Sequence, residues 1–381
     1  MKFLIVNTDY PAFLDELYAS RPGLSECAYD EQLRVRNETL FGVSDFYPRR
    51  LKELGHDATE VHINNRALQR TWAAERGIPL PDEKPFAIQL RRGWIPWLTR
   101  DENRWVLEIL AAQIEHYRPD VLLTHAIADI DAEFWKRMRG TYRLLVGQIA
   151  SPLNTDVDLR PFDLMLSSLP NFVERFRRAG VRAELFRLAF DPSVLERLEA
   201  DEARTSAADR DRNIDVSFVG TLSAHHADRI EWLEEICSQL NVKVWGNGVD
   251  ELPASSAIRL AYQGPAWGVE MYRIHRRSRI SLNHHIGLSG EFANNMRLYE
   301  STGTGTLLLT DLKTNLGDLF EIGREVAAYE SVDDCIRQIR YYLDNPDAGA
   351  SIAGAGQQRT LRDHTYRQRM EQLVAIVGNL R

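Results

Sequence analysis

The densest chemistry in the sequence lies between Ser278 and Asp311, SRISLNHHIGLSGEFANNMRLYESTGTGTLLLTD. A strand predicted over Ile280–His284 runs out through Asn283 and His284 into a loop carrying Gly287, Ser289 and Gly290. A helix follows, with Asn294, Arg297 and Glu300 near one face, and Gly303 and Gly305 close it. A glycine loop that enters a helix N-terminus, here near Ala293–Asn295, presents free backbone N–H groups and the positive end of the dipole. That suits a pyrophosphate. An arginine one turn in can pair with the same diphosphate, and a carboxylate one further turn along is spaced to accept hydrogen bonds from ribose hydroxyls. Asn283, His284 and Glu291 fall on the loop side of the same segment. The same residues also fit a surface ion pair at helical spacing with turn glycines, and spacing alone leaves both readings open.

Two further segments carry candidate chemistry. In Val216–His226 a strand passes through Gly220 and Thr221 into a helix, a second place to cradle phosphate. It lacks both the Walker A lysine and the GxGxxG fingerprint, so nucleotide hydrolysis and dinucleotide redox chemistry have no support. In the first half, one strand ends in Asn7-Thr8-Asp9 and another in Thr124-His125. His125 is a candidate general base toward an acceptor hydroxyl, and Asp9 could do the same or orient the histidine. Equally, His125 could bond within the core and Asp9 could cap a helix. The acidic pairs Asp129/Asp131 and Asp156/Asp158 resemble aspartate-x-aspartate metal motifs, but such pairs are common by chance. The histidines have no companions at zinc spacing, so no metal and no cofactor are expected.

The elements that must position these residues alternate short β-branched runs with amphipathic stretches. Strands are predicted at Phe3–Asn7, Ala58–His62, Val121–His125, Leu144–Gln148, Leu164–Ser167 and Ala183–Leu188. A second series follows at Val216–Val219, Val242–Trp245, Ile280–His284, Thr306–Thr310 and Val326–Tyr329. The clearest helix is Glu102–His116, stopped by Pro119 directly before a strand. Two series of similar size imply an α/β chain of two Rossmann-like, doubly wound domains facing across a cleft, with ligands beyond the strands' carboxyl ends. We expect residues 1–190 to form one domain, 191–213 a linker and 214–365 a second domain. A helix over 366–381 is expected to end the chain and could pack back on the first domain. Trp94-Ile-Pro-Trp97 fits a lid, an oligomer contact or core.

Bulk properties narrow the class. The 381 residues suit two compact domains, and 44% hydrophobic with 27% charged residues is ordinary globular composition. A net charge of -8 argues against nucleic-acid binding. Three scattered cysteines give no disulfide framework, and no run approaches the roughly 20 apolar residues of a membrane span. A soluble cytoplasmic protein is expected.

The second half resembles the CgeB-like (spore maturation protein-like) glycosyltransferases. The stretches that carry the resemblance are VSFVGTLSAHHADRIEWL, KVWGNG, MYRIHRRSRISLNHH and MRLYESTGTGTLLLTD, followed by EVAAYESVDDCIRQIRYYLDNPDAG. It spans roughly Val216 to Met370, and the first half matches more loosely. The resemblance implies a GT-B fold and metal-independent transfer of a sugar from a nucleotide diphosphate to a polysaccharide, protein or small-metabolite hydroxyl. It also implies that residues 1–190 bind the acceptor and 214–365 the nucleotide sugar, with Arg297 and Glu300 on the donor diphosphate and ribose and Asn283, His284 and Glu291 toward the sugar. Many retaining GT-B enzymes have two glutamates separated by seven residues. Here the residue eight before Glu300 is Phe292, with Glu291 out of step, so retention or inversion stays open. A nucleotide-sugar epimerase and a non-catalytic GT-B-fold binding partner are the alternatives.

Overall fold

The computed structural model describes residues 1–80, 87–91, 95–99, 104–154, 157–204, 212–222 and 227–380. The chain divides into two compact units. The first comprises Met1–Glu38, Tyr47–Ser167 and Phe172–Glu184; the second comprises Thr39–Phe46, Ser168–Asn171 and Leu185–Arg381.

The first unit is built on strands β1 (Lys2–Asn7), β2 (Asp57–His62), β5 (Val121–Thr124), β6 (Leu144–Gln148), β7 (Leu164–Ser167) and β8 (Ala183–Leu185), in the order 2-1-5-6-7-8. Pairing is parallel from β2 through β7. Leu4, Ile5, Leu122, Leu123, Val146 and Met165 are all buried, whichever side they point to. This is why the strands read as continuous apolar runs: a parallel sheet is covered on both faces. The second unit holds β9 (Ile214–Val219), β10 (Lys243–Trp245), β11 (Ser278–Asn283), β12 (Leu307–Asp311) and β13 (Ala327–Tyr329), in the order 10-9-11-12-13, again parallel. Its core joins Phe218, Leu233, Ile236, Val244, Leu282 and Leu309.

Both sheets reverse strand order once, the first between β1 and β5 and the second between β9 and β11. Crevices open at such switch points, beyond the carboxyl ends of the strands. Asn7 and His125 therefore flank one crevice, and Gly220 and His284 the other.

A hairpin of β3 (Ala87–Arg91) and β4 (Ile95–Thr99) was not anticipated. It takes in Ile95 to Trp97 of the tryptophan-proline segment, while Trp94 lies outside the described residues. Ser193–Glu202 is helical, which places the start of the expected linker in a helix; residues 205–211 are outside the description. The helix Tyr366–Gly378 opens with a full capping box from Thr365 and Gln368, and it belongs with the second unit.

One glycine governs the mouth of the second crevice. Gly246 follows β10 with φ +145, and a Cβ there would sit 1.8 Å from the Gly220 carbonyl oxygen. The close approach lets the Gly220 and Leu222 amides donate to Trp245 and Asn247 carbonyls at 3.0 and 2.7 Å. Gly246→Ala is expected to cost ~2–4 kcal/mol, combining a backbone clash with a conformation that L residues avoid. Urea denaturation checks this.

Candidate functional site

In the second unit the donor-site candidates converge around the helix Arg297–Gly303. That helix starts later than its sequence suggested. Ala293–Asn295 precede it, and Arg297 is its first residue rather than one turn in. Met296 is the N-cap residue at the helix start, and Asn295, just before it, accepts from the Leu298 amide through Oδ1 at 3.3 Å. The Asn295 amide also donates to Asn283 Oδ1 at 2.7 Å, and Asn283 donates to Thr310 Oγ1 at 2.9 Å. Asn283 is thus a tie between the helix and the ends of β11 and β12. Asn294 is half-buried, and Glu291 is exposed, with its carbonyl accepting from Thr314.

Arg297 and Glu300 form an ion pair, their side chains only 18% and 6% exposed. The surface-pair reading is thereby set aside, because a pair this buried is costly unless further bonds support it. Arg297 Nη1 also donates to His275 Nε2 at 3.1 Å and lies 2.8 Å from Met271 Sδ. Burial, reinforced by the Arg297 cation, holds His275 well below the usual imidazole range, so it stays neutral and accepts. Burial raises the Glu300 carboxyl, and Arg297 opposes that rise.

A second cation was missed in the sequence. Arg229, in the first turn of the helix Ala227–Gln239 after β9, donates to the His284 carbonyl at 3.0 Å and the Thr221 carbonyl at 3.4 Å. Burial, and next the Arg297 cation, push its guanidinium down to about 10. Two arginines that repel each other at one crevice, one of them bonded to carbonyls rather than a carboxylate, are poised for a polyanion. The signal was available: a basic residue one turn into the helix behind the Gly220-Thr221 loop.

His284 is half-buried, with its ring stacked on Trp232 at 4.9 Å and Nδ1 2.9 Å from the Tyr329 hydroxyl. The Tyr329 hydroxyl donates to the Asn283 carbonyl at 2.9 Å. Trp232, His284 and Tyr329 border a pocket of about 520 Å³ whose lining includes Asp311, Lys313 and Val332. Neighbouring His285 is tied to Asp311 at 2.6 Å and belongs to the frame.

In the first unit Asp9 and His125 are joined indirectly, through His62, Glu60 and Asn7. Asp9 is buried, paired with Arg36 and 3.0 Å from His62 Nδ1. Burial would raise its carboxyl, but His62 and Arg36 outweigh that and hold it well below the usual range. His125 sits 2.8 Å through Nδ1 from Asn7 Oδ1, and its Nε2 is buried without a hydrogen-bond partner. Burial lowers its pKa to about 4, against a smaller upward pull from Gln148.

These values carry a stability consequence. His125 and His364, both lowered to about 4 by burial, are neutral in the fold at pH 6.5, where half of an exposed imidazole is protonated. Between pH 6.5 and 4 the unfolded chain binds the more protons, so stability falls as pH falls through that window. The expected loss is up to roughly 3 kcal/mol per histidine by pH 4. His62, raised because Asp9 and Glu60 outweigh burial and Arg36, works in the opposite direction. Urea midpoints at pH 7.5, 6 and 4.5 test the sign.

Of the acidic pairs, Asp131 caps the helix Ala132–Met138 and Asp158 pairs with Arg160; Asp156 lies outside the described residues, as do His225 and His226. Among the described residues, no group of three or more His, Cys, Asp or Glu is placed to hold a metal ion. Nor is any described helix long and apolar enough to cross a membrane.

With this geometry in place, comparison with known proteins is informative. Residues 228–375 match a family described as glycosyl transferase-like. Over the whole of both chains the fold is similar to HepE from Anabaena, solved with UDP and glucose, at 13% identity and a TM-score of 0.60. Sucrose-phosphate synthase from Thermosynechococcus elongatus aligns at 10% identity with a TM-score of 0.55, covering 100% of this chain and 99% of that one. A glycosyltransferase from Rickettsia africae aligns at 11% identity and a TM-score of 0.54, covering 98% and 97%. At such identities the likeness establishes the fold. No curated protein sequence matches the chain.

Proposed function

We propose that this chain, whose fold is that of GT-B enzymes, is a glycosyltransferase that moves a sugar from a nucleoside diphosphate bound by the second unit to a hydroxyl-bearing acceptor handled by the first, a reading that the match of residues 228–375 supports. The observation that carries the donor assignment is the pair of arginines near the β9/β11 switch point, Arg229 bonded to the His284 and Thr221 carbonyls and Arg297 paired with the buried Glu300. Both are fixed before any ligand arrives, so little reorganisation is needed when the diphosphate departs with its negative charge. Glu300 is available to the ribose. Gly220, Thr221, Asn294 and Asn295 border the phosphates, and Asn283, His284 and Glu291 lie toward the sugar. Charge on the leaving diphosphate is met by the two guanidinium groups, without calling on a metal.

We place the chain with the CgeB-like group on the residues quoted above, and assign residues 1–190 to the acceptor and 214–365 to the donor. UDP is the first nucleotide to try, since HepE was solved with it. The acceptor is an alcohol, and His125 is our candidate for the group that receives it. Asp9, locked between Arg36 and His62, serves better to hold His62 than to move a proton. Thermal unfolding with nucleotides, followed by nucleotide release with and without acceptor, tests the reading. Release that needs an acceptor supports transfer, whereas release without one points to an isomerase or hydrolase.

A further inference from the structure

We infer that Asn7 and Glu60 are positioning residues that fix the tautomer of His125, so that its Nε2 is offered as a hydrogen-bond acceptor to a hydroxyl group. This deepens, and rests on, the proposed acceptor role of His125.

Asn7 ends β1, beside β2, where Glu60 and His62 alternate onto one face. Asn7 and Glu60 are both 3% exposed, so neither can turn to water for its hydrogen bonds. The Asn7 amide donates through Nδ2 to Glu60 Oε2 at 3.3 Å, while Glu60 Oε1 accepts from Asn37 Nδ2 at 2.6 Å. The shape of an amide does not reveal which end is oxygen; its partners do.

A carboxylate only accepts. Were the Asn7 amide turned over, its carbonyl oxygen would face the Glu60 oxygen, two acceptors against each other in a site without water's screening. The carbonyl therefore faces His125. Nδ1, 2.8 Å away, must then supply the proton. In a neutral imidazole that leaves the lone pair on Nε2, a buried atom that makes no hydrogen bond of normal geometry, although the Gln148 side chain, itself bonded to the Tyr47 hydroxyl, also draws on the ring. Neutrality agrees with burial lowering the pKa to about 4, with Glu60, His62 and Gln148 as the neighbouring polar and charged groups. The Tyr47 ring meets the imidazole edge-on at 5.6 Å and restricts its rotation.

The chemical consequence is selective. An Nε2–H would suit a phosphate oxygen, whereas a lone pair there suits an alcohol O–H. The fold thus commits this end of the first unit to a hydroxyl before the acceptor arrives.

Long-range ¹H–¹⁵N correlation spectra of the full chain at pH 7.5 report the tautomer directly. The expected wild-type spectrum shows His125 protonated at Nδ1 alone. In Glu60→Gln the new amide can donate as well as accept, so Asn7 is free to turn over. A second tautomer should then appear, with turnover falling about two- to tenfold as the wrong form is populated. A wild-type proton on Nε2, or a tautomer untouched by Glu60→Gln, overturns the inference. If the variant does not fold, the wild-type spectrum alone decides. If the tautomer behaves as expected while His125→Gln turns over at the wild-type rate, the positioning stands and the acceptor role of His125 falls.

Discussion

Arg297→Ala should abolish the thermal response to nucleoside diphosphate and lower kcat/KM for the donor by about 10²–10³. A hydrogen bond to a charged group contributes ~1.5–3 kcal/mol, and a preorganised cation at the departing diphosphate adds to that in the transition state. Together these reach ~3–4 kcal/mol, the size of the predicted loss. The same substitution strands Glu300, which is only 6% exposed on its side chain, so unfolding free energy should also drop, by ~3–5 kcal/mol. A lower melting temperature by itself is therefore poor evidence. Arg229→Ala separates the two effects, because its partners at His284 and Thr221 are backbone carbonyls and no carboxylate is left behind. It should lose nucleotide response at a smaller cost in stability. Were the Arg297–Glu300 pair merely structural, Arg297→Ala would melt early yet respond to nucleotide as the wild type does.

His125→Gln should leave nucleotide binding intact and reduce acceptor-dependent turnover by about 10². General bases contribute ~10²–10⁴, and the lower end applies here, since an imidazole whose pKa lies near 4 attracts a proton weakly. On this group's account the pH–rate profile is flat from pH 6 to 8 and falls below about pH 5, where Nε2 becomes protonated. Equal loss of nucleotide affinity in His125→Gln would contradict the division of labour between the units. A profile that breaks near pH 6.5 would contradict the burial of the neutral ring.

Why the sequence revealed some of this and not the rest is a matter of range. Leu144–Gln148 and Leu164–Ser167 are strands with the very bounds expected, because a strand covered on both faces must be a continuous apolar run. Arg297 and Glu300 were legible as neighbours from their spacing alone, but not as buried, since His275 and Met271 reach them from a helix over twenty residues earlier. The late start of that helix goes with the Asn295 side chain, which bonds to the Leu298 amide and to Asn283, partners that local pattern does not reveal. The β3–β4 hairpin escaped because Pro96 argues against a strand. Arg229 was overlooked for the adjacent glycine and histidines. The chain of Arg36, Asp9, His62, Glu60 and Asn7 draws on three separate stretches of sequence, and no spacing rule joins them.

Thermal unfolding of the wild-type protein with UDP, dTDP, GDP, ADP and CMP, alongside Arg229→Ala and Arg297→Ala, tests the central claim most directly. A nucleotide at about 100 times its dissociation constant should add ~2.7 kcal/mol of stability. The account predicts that at least one diphosphate stabilises the wild type and that both substitutions remove the response. A wild-type protein indifferent to every diphosphate at millimolar concentration, or stabilised equally after both arginines are changed, would contradict it.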